Sequence, residues 1–220
     1  MRGQASFNRL TFFQNLLSPM FTRITRCFAI SILCVSTAFA IDLTPFPSVR
    51  ETDGVKFAEL RFHDAAGEIS YAPPRGWTYS GGGREIHFVP PKLSQAEGII
   101  RVTPLTTPAP PLDEVTQKAL KEAAMSGLPK DAQNVTTVAE TKNSVVIDGH
   151  ETYEVTFSYS FFGNSLKTSY LFAYFQNEQF CAEVSAHAAD FDAVYRAFHG
   201  SLFSWQPLKK APPVGVASAR

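Results

Sequence analysis

Residues 152–161 alternate without a break between polar side chains and large apolar ones. Tyr153, Val155, Phe157, Tyr159 and Phe161 share one side of an extended chain, and Thr152, Glu154, Thr156, Ser158 and Ser160 share the other. A period of two sorts residues onto the two faces of a strand, one buried and one wetter. The run sits in a series. Residues 135–147 are strand-like and lead into Asp148-Gly149, a pair suited to a type I′ turn because that turn needs positive φ at both central positions. Residues 166–175 are apolar on both faces towards their end, which predicts a central strand. Phe180, Ala182, Val184 and Ala186 then alternate with Cys181, Glu183, Ser185 and His187. Phe191, Val194, Tyr195, Phe198 and Leu202 recur at helical spacing after Asp190, which suits an N-cap. The expectation over residues 145–203 is a four-stranded antiparallel meander with a helix laid on it.

Upstream, residues 56–63 and 68–72 read as strands, the second placing Ile69 and Tyr71 on one side. Pro73-Pro74-Arg75-Gly76 ends it, since proline removes a donor and fixes the chain. Ser80-Gly81-Gly82-Gly83 reads as a flexible turn into residues 84–89, where Ile86 and Phe88 share a face. Residues 98–103 form another short strand. The proline-rich connector 106–111 delivers a helix over 112–126. Asp113 and Glu114 suit its positive end, Gly127 and Pro129 stop it, and Leu112, Val115, Ala119 and Ala123 form its packing stripe.

The first 40 residues hold Arg2, Arg9, Arg23 and Arg26 and no acid. An apolar stretch, residues 27–35, and Ala38-Phe39-Ala40 follow. Basic region, short apolar region and small-residue exit describe a secretory signal peptide cut between Ala40 and Ile41. A spanning helix wants about 20 apolar residues, and residues 27–40 number fourteen with Ser31, Ser36 and Thr37 among them. Leu33 before Cys34 is too large for a lipoprotein signal. A start at Met20 in place of Met1 gives a leader of 21 residues. The domain plan is a signal peptide at 1–40, a lead-in segment at 41–55 containing Pro45 and Pro47, one α+β domain at 56–205 and a disordered tail at 206–220. Four of the 20 basic residues leave with the leader, so 16 face 20 acids and the mature chain is near −4. No basic cluster follows, which argues against nucleic acid and anionic membrane as partners. Of the three cysteines, Cys181 alone stays. The mature protein therefore has no internal disulfide and must be held by its core.

Ile69-Ser70-Tyr71-Ala72-Pro73-Pro74-Arg75-Gly76-Trp77 resembles the extended strand, proline and Gly-Trp opening of PsbP-like and DcrB-like domains. Residues 149–155 resemble their glycine and aromatic-rich strand, and the Phe-rich helix at 191–203 fits as well. The resemblance spans roughly residues 56–205. It implies an antiparallel β-sheet with helices packed on it in an α/β/α sandwich, and an exported, non-enzymatic accessory role in the periplasm or outside the cell. No functional residue of the family maps onto this chain with enough specificity to carry over. The polar run at 152–160 departs from what a sheet covered on both sides would carry.

Catalytic signatures are missing. There is no nucleophile elbow, phosphate-binding loop or dinucleotide fingerprint, and no cofactor is expected. His63, His87, His150, His187 and His199 show no metal-ligand spacing. Cys181 reads as an inert structural thiol. Trp77 beside Arg75 is the candidate binding feature, a cation–π pair or ligand platform, against the plainer reading that Trp77 plugs the core. Tyr153, Tyr159, Tyr170 and Tyr174 are expected in the core, with an apolar ligand cavity as the alternative. Asn134-Val135-Thr136 is a glycosylation acceptor in a eukaryotic secretory route only. The sequence thus predicts an exported accessory protein that binds a protein partner. An apolar-ligand carrier and a hydrolase with a site invisible in sequence are the alternatives.

Overall fold

The computed structural model describes residues 41–208 apart from 65, 66, 94 and 176. The signal-peptide assignment at 1–40 and the tail beyond 208 lie outside the described residues. Six strands come first: β1 (Asp42–Thr52), β2 (Val55–Asp64), β3 (Gly67–Tyr71), β4 (Thr78–Gly82), β5 (Glu85–Val89) and β6 (Glu97–Pro104). Helix α1 (Glu114–Ser126) leads to the meander β7 (Gln133–Lys142), β8 (Thr152–Phe161), β9 (Asn164–Phe175) and β10 (Glu178–His187), then α2 (Phe191–Leu202) and β11 (Gln206–Leu208). They form a seven-stranded sheet, β4-β5-β6-β10-β9-β8-β7, and a four-stranded sheet, β1-β2-β3-β11. The result is α+β and antiparallel, and richer in sheet than an α/β/α sandwich.

The register sorts the large sheet into two faces. One carries Phe180, Ala182 and Val184 of β10, Ile100 and Val102 of β6, and Leu171 and Ala173 of β9. This face packs on α2 through Phe191, Val194, Phe198 and Leu202, and on the small sheet through Leu60, Phe62, Ile69 and Tyr71, with Trp205 between them. The other face carries Tyr153, Val155, Phe157 and Tyr159 of β8 with Tyr170, Phe172 and Cys181, under Leu112, Leu120, Ala124 and Leu128 from α1 and its flanks. Burying a large apolar side chain contributes about 1.5–3 kcal/mol, so these two aromatic cores supply the cohesion that a disulfide does not.

Four expectations need correction. The lead-in segment is strand β1, turned into β2 by Asp53-Gly54, whose φ values of 52° and 77° match a type I′ turn. Pro45 and Pro47 are tolerated because β1 is an edge strand, and the pairing is irregular between Asp42 and Phe46. The domain therefore begins by Ile41, and it continues past 205, because Gln206–Leu208 pairs with β3. The glycine run is a turn only at its end, where Gly83 opens the reversal from β4 into β5. Gly81 and Gly82 lie in β4, where an added Cβ would meet Glu85 O at 2.6 Å and Thr44 Oγ1 at 2.9 Å. Close approach of backbones selects glycine there. Finally, the helix stripe is offset: Val115 is exposed, and Leu120 and Ala124 are buried with Leu112 and Leu128.

Asp148 and Gly149 do have positive φ, 48° and 78°. They do not join two long strands, however. β7 ends at Lys142 opposite Tyr153, and the turn sits at the tip of an excursion closed by a single Ile147–His150 bridge. That excursion drops Val145 and Ile147 into the α2-side core. Asp190 stands at the N-cap of α2 without a side-chain capping bond, whereas Asp113 caps α1 by accepting from Thr116 N–H at 2.9 Å.

Candidate functional site

Arg75 is exposed and Trp77 half-buried. The indole stacks on Phe198 of α2 at 6.0 Å and 11° between planes. Among the described residues the cation–π contacts are Arg50 over Phe57 and Lys167 over Phe191, so Arg75 and Trp77 are not brought together as such a pair. Trp77 is packed against the core, with one side left to solvent.

The polar stripe of β8 holds a polar network that sequence reasoning missed. Thr152, Glu154 and Thr156 are buried, as are Thr168 and Ser169 of β9. Ser169 donates to Glu154 Oε1 at 2.8 Å and Thr156 donates to Ser169 at 3.0 Å, while Thr152 donates to the carbonyl of Val145. From α2, His199 Nε2 lies 3.3 Å from Glu154 Oε2 and 3.4 Å from Ser144 Oγ. Burial pushes the Glu154 carboxyl upward, but hydrogen bonds from His199, Ser144 and Ser169 outweigh it and hold it below its usual range. At Glu154 the cover comes from α2 through His199, while Ser158 and Ser160 further along the stripe are half-buried. The trio of acid, imidazole and hydroxyl is not a catalytic triad. A triad needs the carboxylate on one ring nitrogen and the nucleophile on the other, whereas here both approach Nε2. The arrangement locks α2 onto the sheet.

A second cluster occupies the part of the α1-side face that α1 leaves uncovered. His87 stands between two carboxylates, Nδ1 at 2.6 Å from Glu97 and Nε2 at 2.7 Å from Glu85. Arg101 bonds Glu85 and reaches Glu183 at 3.4 Å. Partial burial opposes the imidazolium, and the two carboxylates override it and raise the His87 pKa. Burial raises Glu183 despite Arg101. Each charge has an opposite neighbour, so the cluster is internally satisfied. Cys181 lies beneath it, buried, its thiol pushed up to about 12 by burial, which suits the inert role expected of it. Among the described residues no group of three or more His, Cys, Asp or Glu is arranged to hold a metal ion.

The distal β1–β2 ribbon differs from both clusters. Residues 49–51 and 53–58 are exposed, Val49, Val55 and Phe57 among them. Cross-strand pairs are Val49–Ala58, Arg50–Phe57 and Glu51–Lys56, with the Arg50 guanidinium 6.0 Å from the Phe57 ring. The prolines guard only the inner half of the β1 edge. From Ser48 outward the edge keeps its backbone donors and acceptors.

A cavity of about 200 Å³ lies between the loop before β6 and the start of α2, lined by Lys92, Leu93, Gln95, Ala96, His187 and Asp190. It is smaller and more polar than the 300–1,000 Å³ clefts typical of small-molecule sites. Tyr153, Tyr159 and Tyr170 are packed in the α1-side core and Tyr174 rests against it. No helix of the described residues is long and apolar enough to cross a membrane.

No protein-family model matches the chain, and no curated protein matches it. Two solved structures are similar in outline. PA94 of Pseudomonas aeruginosa, a protein of unknown function, is 13% identical with a TM-score of 0.42, over 74% of this chain and 99% of its own. The cyanobacterial PsbP, CyanoP, of Synechocystis sp. PCC 6803 is 13% identical with a TM-score of 0.43, over 72% of this chain and 98% of its own. The likeness to the PsbP-like group is thus a distant one of fold outline, and no role is carried over from either protein.

Proposed function

We propose that this chain is an exported, non-catalytic accessory protein of the cell envelope that binds a protein partner through the β1–β2 ribbon. The supporting observation is the exposure of residues 49–51 and 53–58 together with the apolar side chains they carry. A two-stranded ribbon is marginal in water, and an unguarded strand edge beside exposed valine and phenylalanine is suited to pairing with an extended segment of another protein. The two satisfied ionic clusters compete poorly for this role, since their groups are already partnered. The carrier alternative is supported less, because the tyrosines that would line a ligand cavity pack against α1 and its flanks.

The test is affinity capture from the native envelope with the wild-type chain and with Val49→Glu/Phe57→Glu, read by mass spectrometry for proteins and small molecules. A protein retained by the wild type and lost by the variant, at unchanged melting temperature, supports the ribbon as the interface. Equal retention by both removes it. A stoichiometric small molecule in place of a protein favours the carrier.

A further inference from the structure

The described chain is anchored from its first residue. Ile41 is 5% exposed, and its backbone nitrogen donates to Glu178 Oε2 at 3.0 Å, a contact closed across 137 positions of sequence. The other carboxylate oxygen accepts from Arg84 at 2.6 Å, and the same Arg84 nitrogen reaches the carbonyl of Ile41 at 3.4 Å. Glu178 is itself buried at 7% exposure. Leu43 follows at 0% exposure, with its N–H donating to Gly83 O at 2.7 Å. Position 41 is also the residue that the small-residue exit at 38–40 marks as the first of the mature chain.

We infer that cutting the Ala40–Ile41 bond is a maturation step that completes the fold, the new α-ammonium of Ile41 closing an ion triad with Glu178 and Arg84. The inference rests on the leader reading that underlies the proposed export. A leader peptidase would add water across the peptide bond. The C–N bond breaks, Ala40 leaves as a carboxylate with the leader, and the Ile41 nitrogen takes up protons to become an ammonium. One neutral N–H on a buried carboxylate is thereby replaced by a cation with three donors. A charge-assisted bond is roughly twice as strong as a neutral one. An α-amino group ordinarily titrates at about 7.7–8.0, and a carboxylate beside it favours the charged form. Before the cut, Arg84 is the one cation paired with Glu178 among the described residues. After it, the carboxylate is held from both sides.

The experiment expresses the full chain with its leader in an exporting host, as wild type, with one glycine inserted between Ala40 and Ile41, as Glu178→Gln, and as the combination. Intact mass of the exported protein reads the new terminus. Thermal melting reads the triad. Moving the ammonium one residue away is expected to lower the melting temperature by about 5 °C, and the insertion is expected to have no effect in the Glu178→Gln background. Equal melting temperatures for wild type and insertion overturn the triad, and so does an insertion effect that survives Glu178→Gln. A terminus other than Ile41 in the exported wild type overturns the leader reading instead, so the two failures are told apart. Should Glu178→Gln not accumulate, Glu178→Asp serves in its place, with a reduced insertion effect expected.

Discussion

At the scale of single residues, neighbouring side chains in sequence play unlike parts. Trp77 presses its ring on Phe198 while Arg75, two positions before it, stays in solvent. Full burial would make a tryptophan truncation cost about 3–5 kcal/mol. Trp77 is only half-buried, so Trp77→Ala is expected to cost about 2 kcal/mol, and Arg75→Ala no more than about 0.5 kcal/mol. Urea denaturation midpoints check both, and an Arg75 effect as large as that of Trp77 would contradict the packing role. Arg75 and Trp77 are adjacent enough in sequence to suggest a pair, but only the tertiary fold sends the indole to α2.

At the scale of elements, close approach decides more than propensity. Gly98 of β6 faces α2, and an added Cβ would stand 2.6 Å from two ring atoms of Phe198. That ring is fixed between Trp77 and Phe88, each 6.0 Å away. Gly98→Ala should cost about 1–3 kcal/mol through overpacking, and Gly98→Ala/Phe198→Leu should recover part of that loss. A double-mutant cycle on melting temperature measures it, and additive losses would argue against the contact. Edges are managed at this scale as well. β7 carries register shifts at two places and the inner half of β1 carries prolines, devices that discourage strand addition there and leave the β1 edge from Ser48 outward open. The type I′ pair Asp148-Gly149 is visible in the sequence, and Asp53-Gly54 is the same signal. The second is masked by Pro45 and Pro47, which make the preceding segment look unlike a strand. An edge position removes that objection, and edge position is not a local property. The α1 stripe is another partial reading. Its helix is legible from Asp113, Gly127 and Pro129, but a short, alanine-rich face leaves two stripes nearly equal until Leu120 and Ala124 join the aromatic core of the sheet.

At the scale of the whole molecule, ionic groups tie distant elements together and make stability depend on pH from both sides. Arg101 lowers Glu85, against opposing burial and with help from His87, and the bonds from His199, Ser144 and Ser169 lower Glu154. A lowered carboxyl stabilises the fold above its unfolded value of about 4.3, and that contribution is lost as pH falls through the lower folded value. His87 runs the other way. Its raised pKa makes its contribution complete below the unfolded value of about 6.5 and removes it as pH rises through the folded value. Melting temperature against pH should therefore fall on the acid side, and should also decline above about 6.5. His87→Gln should flatten the second decline and keep most of the first, which Arg101 on Glu85 and the bonds to Glu154 sustain. His87 is faced by Glu85 and Glu97, with Arg101 on Glu85, so an unaltered alkaline decline in the variant would place its origin elsewhere.

The sequence by itself determined the local states of this protein. Period-two alternation specifies β8 and β10, a 3.6-residue period specifies α2, and paired turn residues specify chain reversals, because these depend on a residue and its near neighbours. The tertiary structure alone decided which face each helix covers and why a polar stripe is buried. Glu154 and Thr156 look like a wetted face until Ser169 and His199 satisfy them from other elements. It alone also turned an apparent lead-in into an edge strand held at its start by Glu178. Hydrogen bonds and packing between residues far apart in the chain settle those choices, and no local pattern encodes who the distant partner will be.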